Sequence, residues 1–125
     1  MTQSEQLKNE RRRFERVDVD PKSGVYVTTP RGAKQGDVRQ LGRGGFLITT
    51  TDETKFKNDK KQSFVIVDPQ EDLNIHVHAT FCYFQHGCAG FEFNDLDADS
   101  AVKIGILIGK YYVSDTSLLQ AEKNK

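Results

Sequence analysis

The run from Leu73 to Phe84, LNIHVHATFCYF, constrains the fold more than any other stretch of the chain. Ile75, Val77, Ala79, Phe81 and Tyr83 alternate with His76, His78, Thr80, Cys82 and Phe84. A period of two puts one apolar face against a core and leaves the other mixed, which is the signature of a half-buried strand. A strand this long needs partners on both edges. Gln85-His86-Gly87 reads as a turn, and AGFEF (89–93) as a returning strand, so the two form a hairpin.

The rest of the chain supplies further short strands. GVYVTT (24–29) is β-branched and ends at a Pro30-Arg31-Gly32 turn. Residues 36–41 and GFLITT (45–50) are separated by a glycine-rich connection. DETKFKNDKKQ is a charged loop, and SFVIV (63–67) is a strand closed by Asp68-Pro69. After Asn94 the period changes. Ala101, Ile104, Ile108 and Tyr111/Tyr112 recur at helical spacing, predicting a helix over about 98–112 with Asp97 or Asp99 as its N-cap. Gly105 and Gly109 within it either allow close packing on the sheet or weaken the helix, by about 1 kcal/mol each. Short strands followed by one helix predict an all-β domain with a C-terminal helix, a small antiparallel β-barrel.

At 125 residues the chain reads as one domain. Residues 1–10 are expected to be a flexible N-terminal tail, 11–115 the domain and 116–125 a flexible C-terminal tail. Eight Phe and four Tyr supply the large apolar side chains of the core. The N-terminus lacks an apolar secretory segment, and no run is long enough to span a membrane. A cytoplasmic protein with two free thiols, Cys82 and Cys88, is therefore expected.

Lys plus Arg and Asp plus Glu both number 18. Zero net charge argues against a general nucleic-acid binder. Charge is nonetheless concentrated in ERRRFERVD (10–18), where Arg11, Arg12, Arg13 and Arg16 lie just ahead of the first strands. Interleaved Glu10, Glu15 and Asp18 count against a nucleic-acid arm. A clamp for a small anion remains, and GDVRQLGRGGFLI (36–48) offers it a partner. Gly42, Gly44 and Gly45 make a tight connection whose amides can face an anion, with Arg43 in the same turn. A ligand-free strand connection accounts for the same glycines.

The combination of R-x-x-x-R at Arg12–Arg16 with the later strand–turn–strand resembles the PilZ domain family. The resemblance runs from Arg11 to about Tyr112, and GFEFNDL (90–96) is similar to the family's last core strand, which leads into a helix. It implies a six-stranded antiparallel barrel and, in many members, binding of the second messenger cyclic di-GMP. Arg12 and Arg16 match the family's two arginines and Arg13 their common neighbour. In the family these grip phosphates and guanine edges, which suits the planar guanidinium fork. The family's D/N-x-S-x-x-G reads here as Q-x-G-x-x-G, with Gln40, Gly42 and Gly45 at the motif positions. A second register, Asp37 to Gly42, keeps the Asp but puts Arg39 at the Ser and leaves FLI three residues late.

The departure has a cost. Replacing a carboxylate that accepts from guanine loses about 1.5–3 kcal/mol, and a lost Ser hydroxyl about 0.5–1.5. Arg43 is placed to offset part of this. The resemblance thus implies a ligand site of Arg12, Arg13, Arg16, Gln40, Gly42, Arg43 and Gly45, with cyclic di-GMP as ligand and a protein effector as partner. The other reading is an adaptor that keeps the barrel and acts through protein partners alone.

No other chemistry is indicated. His76, His78, Cys82, His86 and Cys88 fit no usual zinc spacing, and side chains along one strand face spread about 7 Å per two residues. No catalytic triad or P-loop is present, so no enzyme activity and no cofactor are expected.

Overall fold

The computed structural model describes residues 16–50, 56 and 60–123, the side chains of 113–123 excepted. Seven strands and one long helix follow in order: β1 (Val17–Asp18), β2 (Tyr26–Thr28), β3 (Lys34–Leu41), β4 (Gly45–Thr49), β5 (Lys61–Asp68), β6 (Leu73–Gln85), β7 (Cys88–Asn94) and α1 (Ala98–Lys123). A single 3-10 turn, Pro21–Ser23, lies between β1 and β2. All pairings are antiparallel. Six strands close in the order β3-β2-β5-β6-β7-β4, with β4 pairing back onto β3. Closure removes the exposed edges that short amphipathic strands would otherwise leave. The two-residue β1 continues along the edge of β3 beyond the end of β2.

The hairpin expected around residue 86 is present, with His86 (φ 54°) and Gly87 (φ 75°) both left-handed. This backbone matches the twist of the flanking strands. The alternation of β6 holds through Phe81 and then fails. A bulge between Phe81 and Tyr83 inserts Cys82 as an extra residue, so the side chains beyond it exchange faces. Tyr83, expected inside, is 41% exposed, while Phe84 packs against the core. The Tyr83 ring lies over Gly90, where any Cβ would strike it. The charged loop also holds a surprise. Phe56 is buried between Phe81 (5.8 Å between centroids) and Phe91 (4.9 Å).

Phe91 lies at the centre of the barrel. Its ring stacks on Phe46 (5.0 Å, 11°) and meets Phe64 edge-on (5.1 Å, 74°). Its carbonyl oxygen occupies the space into which a Cβ on Gly45 would project, so β4 and β7 come this close only with glycine at 45.

Asp97 caps α1, accepting from the Ser100 N–H (2.7 Å). The helix buries Ile104, Leu107, Ile108 and Tyr111 and packs on β1 and β6. It continues to Lys123 rather than ending near 112, into the stretch set apart as a C-terminal tail. Gly105 and Gly109 make no close approach, since nothing lies within 4 Å of the position a Cβ would take at either. Among the described residues, no helix is long and apolar enough to cross a membrane.

Two polar links tie α1 to the barrel. Ser100 Oγ donates to the His76 carbonyl (2.7 Å). The Lys110 ammonium pairs with the fully buried Asp68 (3.2 Å) and with Glu71 (3.3 Å). Asp68 also accepts from the Gln70 N–H (3.0 Å), so one carboxylate both shapes the β5–β6 turn and anchors the helix. Burial, the largest single influence, pulls the Lys110 pKa down, but its bonds to Asp68 and Glu71 outweigh it and the pKa rises above 10.5.

Three outcomes are expected. Lys110→Met strands a buried carboxylate and should cost about 2–4 kcal/mol in urea denaturation. Gly45→Ala should cost about 3 kcal/mol by forcing β4 from β7, whereas Gly44→Ala, with open space around it, should stay within about 0.5 kcal/mol. The Ser100 amide holds the Asp97 carboxyl below its ordinary 3.8. Its contribution is therefore present above pH 3.8 and lost as the pH falls below it. Acid titration of Asp97→Ala should show a weaker loss of stability in that range.

Candidate functional site

Backbone pairing joins β1 to the strand that leads into the glycine-rich hairpin. Val17 lies opposite Leu41 and Asp18 opposite Gln40. The Val19 N–H donates to the Arg39 carbonyl (2.9 Å), continuing the pairing. Antiparallel register therefore carries Arg16, the residue before β1, to the level of Gly42 at the start of the β3–β4 hairpin. Arg16 and Arg43 are both exposed there. Arg12 and Arg13 lie outside the described residues.

The hairpin itself is tightly bonded. The Gly42 N–H donates to the Gly45 carbonyl (2.9 Å), and the Phe93 N–H donates to the Gly44 carbonyl (2.9 Å). The Gly42 amide is thus directed into the turn and not toward an anion. Gly42 is buried and Gly45 is held by its approach to Phe91, so both act through the backbone. The side-chain chemistry at this end comes from Arg16, Arg39, Gln40 and Arg43.

Arg39 and Gln40 share the outer face because β3 bulges. Val38 pairs with Ile48 and Gln40 with Leu47, which leaves Arg39 as the extra residue. Val38 and Leu41 on either side remain buried. The Gln40 Nε2 donates to Asp18 Oδ1 (3.0 Å) across the β1–β3 pair. Asp37, the acidic residue of the second register, lies opposite Tyr26 on β2 and pairs with Lys34 (2.9 Å). It stands mid-strand, three residues before Gln40, where β3 pairs with β2 and not with β1.

Beside these residues lies an open groove of about 740 Å³ whose lining includes Asp18, Arg39, Gln40, Leu47, Lys110 and Tyr111. The Tyr111 side chain is buried, and its hydroxyl has no hydrogen-bond partner among the described residues. A buried polar atom without a partner is uncommon in a folded protein. The Lys110 ammonium lies 5.3 Å from the centre of the Tyr111 ring. The groove thus combines donors from a strand bulge with a carboxylate from β1, and Tyr111 of α1 forms part of its wall.

Sequence reasoning missed three of these groups. Asp18 was legible, since Val17 and Val19 alternate with Asp18 and Asp20 and are the buried pair. Arg39 entered only at the Ser position of the second register, and the bulge that turns it outward beside Gln40 was not legible. Tyr111 was read only as part of the apolar helix face.

The histidine and cysteine cluster is dispersed. His76, His78 and Cys82 are spread along the outer face of β6. His78 Nδ1 lies 3.0 Å from the Ser63 hydroxyl on β5. Among the described residues, no three His, Cys, Asp or Glu side chains converge on a metal position.

No protein-family model matches the chain, and no curated protein matches it either. Solved structures do. The Bacillus subtilis inhibitor of motility, MotI/DgrA, superposes with a TM-score of 0.60 at 14% identity over 80% of this chain, which spans 50% of that protein. An uncharacterized Legionella protein, Lpg0364, gives 0.54 at 7% identity, covering 88% of this chain and 98% of that one. The PilZ domain of CeSA from a cellulose-synthesizing bacterium gives 0.50 at 15% identity, covering 69% and 88%. At such identities the likeness concerns architecture. The chain has a PilZ-like fold: a closed six-stranded antiparallel barrel with one C-terminal helix.

Proposed function

We propose that this chain is a PilZ-type receptor module that binds cyclic di-GMP on the outer face of the barrel, between the arginine arm and the β3–β4 hairpin. The observation that carries the reading is the β1–β3 register, Val17 opposite Leu41 and Asp18 opposite Gln40. It sets Arg16 beside the segment that holds Gln40, Gly42, Arg43 and Gly45. Arg12 and Arg13 lie within four residues of Arg16 in sequence, so the arm can supply several guanidinium groups to phosphate oxygens. Binding fixes the arm against β3, and a protein effector reads that change. The module has no catalytic role and works in the cytoplasm.

The second reading is an adaptor that acts without the nucleotide. It is favoured by the outward face of α1, where Val102, Ile106 and Tyr112 are exposed.

Isothermal titration with cyclic di-GMP separates the two. The expected result is saturable binding with a micromolar dissociation constant, lost in Arg12→Ala/Arg16→Ala. An absence of heat up to about a millimolar, equivalent to roughly −4 kcal/mol, sinks the receptor reading.

A further inference from the structure

The hydrogen bond between Gln40 and Asp18 joins the residue that departs from the expected motif to a carboxylate on the neighbouring strand. We infer that Asp18 reads the base of the bound nucleotide, with Gln40 as its positioning residue, and that this pair selects guanine over adenine. The inference rests on the nucleotide-binding reading above.

The two aspartates of β1 and the turn after it are in different situations. Asp20 accepts from the Lys22 N–H (2.9 Å) and caps the 3-10 turn. Both are exposed and line the groove, and Asp18 differs in accepting from Gln40 through Oδ1. An ionised carboxylate offers about four acceptor sites. One bond from Gln40 fixes its rotamer and leaves the remaining sites for a ligand. The amide that holds it is therefore not an impaired reader of the base but a support for one.

The chemistry of the pair is selective. Guanine carries adjacent N1–H and N2–H donors on one edge, and O6 and N7 acceptors on another. A carboxylate, which only accepts, matches the donor edge with two hydrogen bonds. Adenine presents an acceptor at N1, which the carboxylate repels. Arg39 stands next to Gln40 on the same outer face because of the bulge. Its guanidinium fork suits O6 and N7. Tyr111 lines the same groove.

The test compares cyclic di-GMP and cyclic di-AMP by calorimetry, using the full chain and three variants. Asp18→Asn keeps an amide oxygen for Gln40 and so preserves the strand contact, but removes the charge and an acceptor. It should weaken cyclic di-GMP binding by about tenfold to a hundredfold, the size of one charge-assisted hydrogen bond, and narrow the preference over cyclic di-AMP. Asp18→Asn/Gln40→Asp moves the carboxylate to β3 and should restore much of both. Arg16→Ala should lose affinity for both nucleotides. If Asp18→Asn binds as the unaltered chain does while Arg16→Ala does not, this inference is overturned and the receptor reading stands. Equal weakening for both nucleotides by Asp18→Asn, with the preference unchanged, also overturns it. An unaltered chain that binds neither nucleotide overturns both readings.

Discussion

The architecture depends on how closely β4 lies against β7. Gly45 permits that approach, because the carbonyl oxygen of Phe91 fills the space where a side chain would begin. The Phe91 ring then reaches Phe46, Phe56, Phe64 and Phe81 across the barrel. Without Trp, the chain fills its core with phenylalanines arranged stacked and edge-on, geometries that aromatic quadrupoles favour. Closure of the barrel and packing of its centre are thus one event. The hairpin that carries Gly45 cannot move independently of the core.

That rigidity fixes which side chains the outer face presents. The hairpin presents Arg43 from a turn whose amide and carbonyl groups are bonded to Gly45 and Phe93. The β3 bulge turns Arg39 and Gln40 outward together, while Val38 and Leu41 stay in the core. A regular strand would have buried one of the two polar residues. The short β1 then brings Asp18 into the cross-strand pair with Gln40 and aligns Arg16 with the hairpin. β1 is only two residues long, so few backbone bonds join it to the barrel.

The helix adds a third component. Lys110 reaches back to a buried Asp68, so one charged pair joins α1 to the β5–β6 turn. A buried pair of this kind fixes geometry more than it adds net stability. Its neighbour Tyr111 forms part of the wall of the groove edged by Asp18 and Arg39. The groove therefore touches β1, β3 and the helix. The balanced composition, 18 basic and 18 acidic residues, keeps this chemistry local.

The sequence by itself determined the strands β2 to β7, the hairpin turns and the helix start, because these follow from local period and turn chemistry. β6 and β7 were legible from alternation and from His86-Gly87, and α1 from its repeat and from Asp97. The six-stranded barrel that the resemblance implied was also readable. Only the tertiary structure decided what the bulges did. Inserting Arg39 and Cys82 changes which side chains face inward, and no local preference announces it, because a bulge is a response to the neighbouring strand. The same holds for Phe56, whose charged surroundings hide a core residue, and for the meeting of Asp18 with Gln40. That contact spans 22 positions of sequence and exists only because β1 and β3 pair. A long-range register is fixed by packing of the whole barrel, and it is the register that turns two separate motifs into one candidate site.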